Sequence, residues 1–479
     1  MRLMRALLQL LLSAWLILIA NSSAWAQITN VTNDQATPIP GAGHDYIKML
    51  SETVSPANGQ VSVRIDMPTP RGRLLNIPFA LLYNSSGVHH VGYNVNGTAK
   101  WWTDTGQDSG SGWTYALPYL TAIQGQRSTY NPNTYPPATY TCEFISNYVL
   151  QDLAGTRHTL NISIAQVGAG STHCDLVASP PFNFLSGGDD FLRATTSAPC
   201  QGCTQFIPQP VAVADADGTV YYFSTFGFTH ANPNINGYYS WPTYIKDRNG
   251  NIINVSSSGG ATTVTDTLGR TAVSISPINS GTNANTVTIS GLANPYTVQW
   301  QSVPSSFNVG QVEVESPRAP NCQGIQPNTS GTTVVQSLTL PNGQTYQFQY
   351  DGTYGLLSKV TYPTGGYVSY TWGLNPLSES TSFPNADGGS TCIYRYDSPV
   401  ITNRYVSFDG VNIALQQDFS YSTNWSSSTS ADWTSKQTAV TTRDLIRGQS
   451  YQTVYAYAPF TVFAPPNARS CWSSSSWNS

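Results

Sequence analysis

The stretch "LPNGQTYQFQYDGTYGLLSKVTYPTGGYVSYTW", residues 340–372, states one phrase twice. A proline step leads into a glycine-bearing turn, and an alternating run follows, in which aromatic side chains take every second position. In "YQFQY" Tyr346, Phe348 and Tyr350 share a face, and in "VSYTW" Val368, Tyr370 and Trp372 do so. A period of two is the mark of a half-buried strand, because successive side chains leave a pleated ribbon on opposite sides. The same alternation occurs in "VSVRI" (Val61, Val63, Ile65) and in "TVTIS" (Val287, Ile289). β-branched and aromatic residues dominate these runs, as strands prefer. No run after residue 27 combines helical spacing with caps. The fold class expected is therefore all-β: a β-sandwich-like N-terminal domain followed by hairpin repeats that form a curved open sheet.

Turn signals punctuate the chain at irregular intervals, with longer gaps from Gly155 to Gly218 and from Gly269 to Gly343 that read as insertions. "DLAGT", "DADGT", "DRNGN", "DTLGR", "LPNGQ" and "YPTGG" place Gly155, Gly218, Gly250, Gly269, Gly343 and Gly365 between strand-like runs. Asn249-Gly250 and Asn342-Gly343, and likewise Asp217-Gly218, read as two-residue type I′ turns, which need positive φ at both central residues. Successive turn glycines near 250–269 and 343–365 predict a hairpin unit of about 20 residues, irregularly repeated. Three stretches read as loops: "QGQRSTYNPNTYPPATYT" (124–141), "SPINSGTNAN" (276–285) and "SESTSFPNADGGST" (378–391). The organisation expected is a signal peptide over 1–26, an N-terminal β domain over 27–205, a repeat region over 206–375, a C-terminal β segment over 376–462 and a disordered tail over 463–479.

Composition bounds the function. The chain has 479 residues with 40% hydrophobic and 12% aromatic residues, enough for a large core, but only 10% charged residues. The average soluble protein carries roughly 25%. Net charge is −4, and loss of Arg2 and Arg5 with the leader would take it to −6 (−4 − 2). That balance disfavours nucleic acid or an anionic membrane as partner. Arg2 and Arg5 precede the apolar run "ALLQLLLSAWLILIA", short for a bilayer span, and small residues at Ala24 and Ala26 predict cleavage before Gln27. A retained membrane anchor is the alternative. No later segment is apolar enough to span, so no transmembrane span is expected in the mature chain, and the localisation expected is secreted or cell-surface.

The seven cysteines, Cys142, Cys174, Cys200, Cys203, Cys322, Cys392 and Cys471, favour disulfides in an exported protein. Cys142–Cys174 and Cys322–Cys392 are the expected pairs, since each brackets a long loop-rich segment. "CQGC" at 200–203 reads as a loop disulfide rather than a redox motif or half a zinc site. The odd count leaves one cysteine over.

Two blocks of sequence resemble the RHS/YD-repeat proteins. "NGQVSVRIDMPTPRGRLLNIPFALLYNSSG" followed by "GSGWTYALPYL" looks like the opening region of RHS shells, through Arg71, Gly72, Pro78, Tyr83, Asn84, Ser85, Gly87, Gly110, Gly112, Trp113 and Pro118. Residues 337–373 look like the hairpin register of the repeats. The resemblance covers about 28–120 and 210–373, and it implies a β-sheet that spirals into a hollow shell, with Trp113 as an anchor folded under the shell wall. The self-cleaving core and C-terminal toxin of bacterial members have no counterpart: "YRYDSPV" at 394–400 is the nearest phrase to the core, and it lacks the glycine-arginine that should follow. The chain thus reads either as a truncated or split N-terminal piece of such a protein or as a small surface module built from the same parts.

Candidate chemistry is sparse. His89-His90 point to opposite faces of a strand and cannot chelate one metal. His44-Asp45 reads as a polar turn. "DADG" and "DRNG" open like calcium loops, but their twelfth positions, Phe226 and Ser258, carry no carboxylate. Asp189-Asp190 and Asp215/Asp217 are the carboxylate pairs by residue type alone. Trp101, Trp102 and Trp113 cluster in glycine-rich surroundings and are the candidate carbohydrate platform. The function expected is a non-catalytic structural module, not an enzyme, with no cofactor or metal. Its expected partner is the remainder of an RHS shell, or another β-rich protein, reached through open sheet edges. A carbohydrate-binding adhesin is the alternative, with a glycan as partner, and a secreted hydrolase is the third reading.

Overall fold

A computed structural model describes residues 47–48, 51–93, 98–103, 111–131, 138–152, 157–166, 174, 184–188, 191–198, 207–232, 235–277, 284–304, 312–314, 323–327, 331–384, 391–427, 430 and 432–459. These form an all-β protein with no α-helix among the described residues. No helix among them is long and apolar enough to cross a membrane. The leader, His44-Asp45, Gly155, Asp189-Asp190, the CQGC loop, Cys322 and residues 463–479 lie outside the described residues.

One sheet dominates. It contains nineteen strands running from Ser186–Gly187 to Gln449–Tyr457, and most neighbours in space are neighbours in the chain. The duplicated phrase supplies its middle: Thr332–Thr339, Thr345–Tyr350, Leu357–Thr361 and Tyr367–Pro384 pair antiparallel in order. Two excursions leave this meander. Gly227–Asn232 and Ile235–Ser240 join the strands Tyr119–Asn131 and Ala138–Gln151 in a six-stranded sheet, and Gln323–Gln326 joins a three-stranded one. The sheet runs without a break through residue 375, which lies inside the strand Tyr367–Pro384.

The turn glycines adopt a geometry other than type I′. Gly218, Gly250, Gly269, Gly343 and Gly365 have φ between 76° and 91°, while Asn249 and Asn342 are not at positive φ. In each turn two backbone bonds recur: Gly250 N donates to Asp247 O and Asp247 N to Asn251 O, both at 3.1 Å, and likewise for Asp215–Thr219, Asp266–Arg270, Leu340–Gln344 and Tyr362–Gly366. This is a type I turn closed by a glycine bulge, which needs one left-handed residue rather than two. An aspartate at the first position explains the choice in three of them. Oδ1 of Asp247 accepts from the backbone N–H of Asn249 and Asn251 at 2.9 and 2.8 Å, fixing the asparagine in the right-handed region.

Two expected loops are strands instead. Tyr119–Asn131 pairs with Ala138–Gln151 over most of 124–141, leaving only 132–137 outside the described residues. Residues 378–384 continue Tyr367–Pro384, paired with Thr391–Ser407. Both stretches are rich in Ser, Thr, Gln and Asn by sequence, so no apolar alternation signals them, yet the backbone ladder continues.

The five-stranded N-terminal sheet, with Glu52–Ser55, Gln60–Asp66, Ala80–Asn84 and Trp113–Tyr115 at its centre, lies against one face of the long sheet. A single core joins the two: Val61, Val63, Leu81, Tyr83 and Trp113 on one side, Val298, Val334, Phe348, Val360, Val368 and Ile401 on the other. The segment from Pro56 to Arg73 crosses the long sheet's strands. Thr438 Oγ1 donates to Pro56 O at 2.6 Å, Ile401 N to Gly59 O at 3.1 Å, and Arg73 N to Thr267 Oγ1 at 2.5 Å. Residues 56–73 thus strap the sheet from the strand Trp433–Asp444 to the turn after Ala261–Thr265.

Cys142 and Cys174 form a disulfide, as their spacing predicts, and both are buried beside Ala165 and Phe144. The bond closes a loop across 32 positions. Reducing it is expected to lower stability by about 3–4 kcal/mol on loop entropy. Urea unfolding with and without reductant, on a protein whose other cysteines are replaced by serine, measures the difference.

Candidate functional site

Three places concentrate polar or aromatic groups: the hairpin turns, the seam under the N-terminal sheet, and the open edge of the long sheet.

At the turns the carboxylates are used by the backbone. Asp215 Oδ1 accepts from Asp217 N and Thr219 N at 3.1 and 3.0 Å, and Asp217 Oδ1 accepts from Thr219 N at 2.8 Å. Burial, then the neighbouring Asp217, raises Asp215, whereas hydrogen bonds from Asp215 and Thr219 hold Asp217 down at about 2. The two acids share one turn, so they do not flank a substrate as a hydrolytic pair must. Asp247 is lowered chiefly by the Asn251 side chain, whose Nδ2 donates to Asp247 Oδ2 at 2.7 Å. Among the described residues no group of three or more His, Cys, Asp or Glu could hold a metal ion. His89 Nε2 lies 2.6 Å from Tyr354 O, and His90 stands opposite Trp102 in the ladder.

The seam holds the tryptophans. Trp113 is fully buried, its ring edge-on to Phe348 at 4.6 Å and tilted against Tyr83 at 5.1 Å. Its Nε1 donates to the Tyr350 hydroxyl at 2.8 Å, which in turn donates to Val335 O at 2.5 Å. Tyr83 accepts from Leu357 N at 3.0 Å, and Tyr115 accepts from Asn285 Nδ2 at 3.0 Å. Trp300 donates to the same Asn285 at 2.8 Å. Trp101 is 2% exposed and packs edge-on to Tyr396 at 5.3 Å. The carbohydrate platform expected from Trp101, Trp102 and Trp113 is therefore corrected. Trp113 is fully buried and Trp101 is 2% exposed, so neither ring offers the open face on which a sugar stacks, and the Trp102 side chain lies outside the described residues. A tryptophan stabilises best where its ring is dry and its N–H has a partner, and the seam supplies both to Trp113 and Trp300.

Gly112 fixes how Trp113 enters the seam. It stands at φ +88°, and a Cβ there would come within 2.5 Å of Asn84 O. The "GW" pair of the opening block is thus a backbone crossing followed by an anchor.

Sequence reading missed one buried ionic centre. Glu52 and Arg404 pair directly, with side chains 0% and 1% exposed. Tyr362 donates to Glu52 at 3.2 Å, Arg404 donates to Gln417 Oε1 at 2.7 Å, and Gln417 donates to Thr442 at 3.1 Å. The signal was present: in a chain with few charges, Glu52 alternates in phase with Val54, and Arg404 with Val406, on strands that face the core.

The long sheet ends on Gln449–Tyr457, paired with Trp433–Asp444. Over Gln449–Val454 no second strand neighbour is present among the described residues. This stretch is uncharged, and Tyr451 and Val454 are 61% and 50% exposed. The opposite end is the two-residue strand Ser186–Gly187.

No family model matches the chain, and no curated protein does. Among solved structures it is similar to the crystal structure of TcdB2-TccC3, at 11% identity and a TM-score of 0.20, over 89% of this chain and 17% of that one. It is also similar to the crystal structure of TcdB2-TccC3-TEV, at 10% identity and a TM-score of 0.19, over 90% and 16%. The chain spans about one sixth of the length of those chains. The all-β architecture stands on the strand ladder itself.

Proposed function

We propose that the protein is an exported or cell-surface structural module of RHS/YD-repeat type, a non-catalytic wall segment that extends by adding strands. The observation that supports this most is the open edge at Gln449–Val454. These six residues carry no proline and no charge, and they form a ribbon that a further strand could join by backbone hydrogen bonds. Natural sheets protect such edges with charges, prolines or bulges, and none of these is present in Gln449–Tyr457. The other supports are the repeated turn geometry, which lays hairpins side by side, and the N-terminal strap, which ties them into one core. Asp215, Asp217, Asp247 and Asp266, whose pKa values are shifted, serve turns, where they shape the wall.

In purified protein a second copy is the available source of a further strand. Sedimentation velocity is expected to show concentration-dependent association, lost when lysines replace Tyr451 and Val454. A protein that stays monomeric at all concentrations, or that associates equally with both lysines in place, contradicts the proposal.

A further inference from the structure

The buried ionic centre continues beyond its ion pair. Arg404, Gln417 and Thr442 stand side by side on three neighbouring strands, Thr391–Ser407, Leu415–Trp425 and Trp433–Asp444, because Arg404 is the ladder partner of Gln417 and Gln417 that of Thr442. All three are buried. Arg404 Nη1 donates to Gln417 Oε1 at 2.7 Å, and Gln417 Nε2 donates to Thr442 Oγ1 at 3.1 Å. A hydroxyl oxygen therefore rests against a carboxamide whose carbonyl oxygen is already held by a guanidinium.

Those are the parts needed to move an acyl group from nitrogen to oxygen. Attack on a carbonyl carbon pushes negative charge onto its oxygen, and a cation fixed on that oxygen in a dry site stabilises the charge as it forms. Glu52, paired with the same guanidinium, is a positioning residue that keeps it there. Because Thr442 Oγ1 accepts from Nε2, it turns a lone pair towards the carboxamide. The last torsion of a glutamine side chain is soft, so the group can turn its carbon face to that oxygen. Gln60 supplies the contrast. Its carboxamide also meets a hydroxyl, but Ser85 Oγ donates to its Oε1 at 2.5 Å, and its Nε2 donates to Pro399 O at 3.1 Å. There the hydroxyl is a donor to the carbonyl oxygen and stands away from the nitrogen that would have to leave.

We propose that Thr442 and Gln417 join in an intramolecular ester. Thr442 Oγ1 bonds to Gln417 Cδ, the Cδ–Nε2 bond breaks, and the hydroxyl proton leaves with that nitrogen as ammonia. Atoms and electrons balance with no oxidant, reductant or further reactant. Holding nucleophile and carbonyl together is worth an effective concentration of roughly 10⁵–10⁸ M. A fixed donor on the developing oxyanion adds roughly 10²–10³-fold. Each chain reacts once, so a slow step suffices, and burial then shields the ester from water. The link staples the two strands next to the edge strand Gln449–Tyr457. It is independent of the wall reading, because it forms equally in a sheet that gains no further strand.

Tryptic mapping of the denatured full chain tests the proposal. Cleavage after Arg404, Lys436 and Arg443 places Gln417 in peptide 405–436 and Thr442 in peptide 437–443. The two are expected as one joined species, lighter than their sum by one ammonia, and alkaline hydroxylamine is expected to part them. Joining is the readout, not loss of mass alone, because a terminal glutamine such as Gln437 of the second peptide sheds ammonia by cyclising. Thr442→Ser is expected to keep the joined species and Thr442→Val to lose it, with circular dichroism showing that each variant folds. Separate peptides from the unsubstituted protein overturn the proposal whatever the variants do. So does a joined species that survives Thr442→Val or resists hydroxylamine.

Discussion

Raising the pH from about 9 to about 12 is expected to unfold the protein in one cooperative step, with its buried tyrosines ionising as it opens. Tyr83, Tyr115, Tyr350 and Tyr370 are all pushed above the ordinary tyrosine value, in each case chiefly by burial. A folded-state value raised above the unfolded one means the folded chain keeps protons that the unfolded chain gives up. Their contribution is therefore complete below about pH 10 and is lost as the pH rises towards the folded values. At one pH unit above the unfolded value each such tyrosine costs roughly 1.4 kcal/mol, and four together cost roughly 5–6 kcal/mol. A typical domain has only about 5–15 kcal/mol to lose. Tyrosinate absorbance and far-ultraviolet circular dichroism, followed together, read the outcome. Of the 28 tyrosines, the exposed ones should ionise reversibly first. The buried set should then appear in step with the loss of strand signal. A single reversible wave for all of them, with strand signal intact, would show that the seam is wet.

The second large effect is expected at the ionic centre. Glu52→Gln leaves the Arg404 guanidinium, 1% exposed, without its counter-charge at the middle of the core. Breaking one side of a buried pair costs about 3–5 kcal/mol, far more than the pair is worth relative to an apolar replacement. Arg404→Met alone leaves Glu52 with the Tyr362 hydroxyl and should cost a similar amount. The double variant Glu52→Gln/Arg404→Met should recover much of the loss, because no unpaired charge remains. Urea midpoints of the three variants decide this, with the exposed pair Arg447–Asp444, at 75% and 24% exposure, as control. Breaking that pair should change stability by no more than about 1 kcal/mol. Equal, small effects at both pairs would place Glu52 and Arg404 in water.

How far the fold was legible depends on which interaction set each element. Strands with one apolar face, such as Gln60–Asp66, Asn285–Ile289 and Thr345–Tyr350, announce themselves because burial selects every second residue. Tyr367–Pro384 is legible only up to Trp372. Ladder shifts at Thr371/Trp372 and between Asn375 and Glu379 then reset the alternation, and the run Ser378–Ser382 that follows has no apolar residue. The turns are legible as turns but not as types. Asn-Gly suits type I′ by itself, and it is the Asp247 carboxylate, two residues before the asparagine, that holds the other geometry. The disulfide follows from spacing. The docking of the first block on the repeats does not, because Trp113 and Tyr350 are 237 positions apart and nothing local to either names the other.

The central claim is that the N-terminal block is bound under the repeat sheet as one core, so that the two halves stabilise each other. The double-mutant cycle of Trp113→Phe with Tyr350→Phe tests it most directly, since the bond between them is the link. A coupling energy of about 1 kcal/mol or more, measured by urea unfolding, is predicted. Strict additivity of the two substitutions would contradict it.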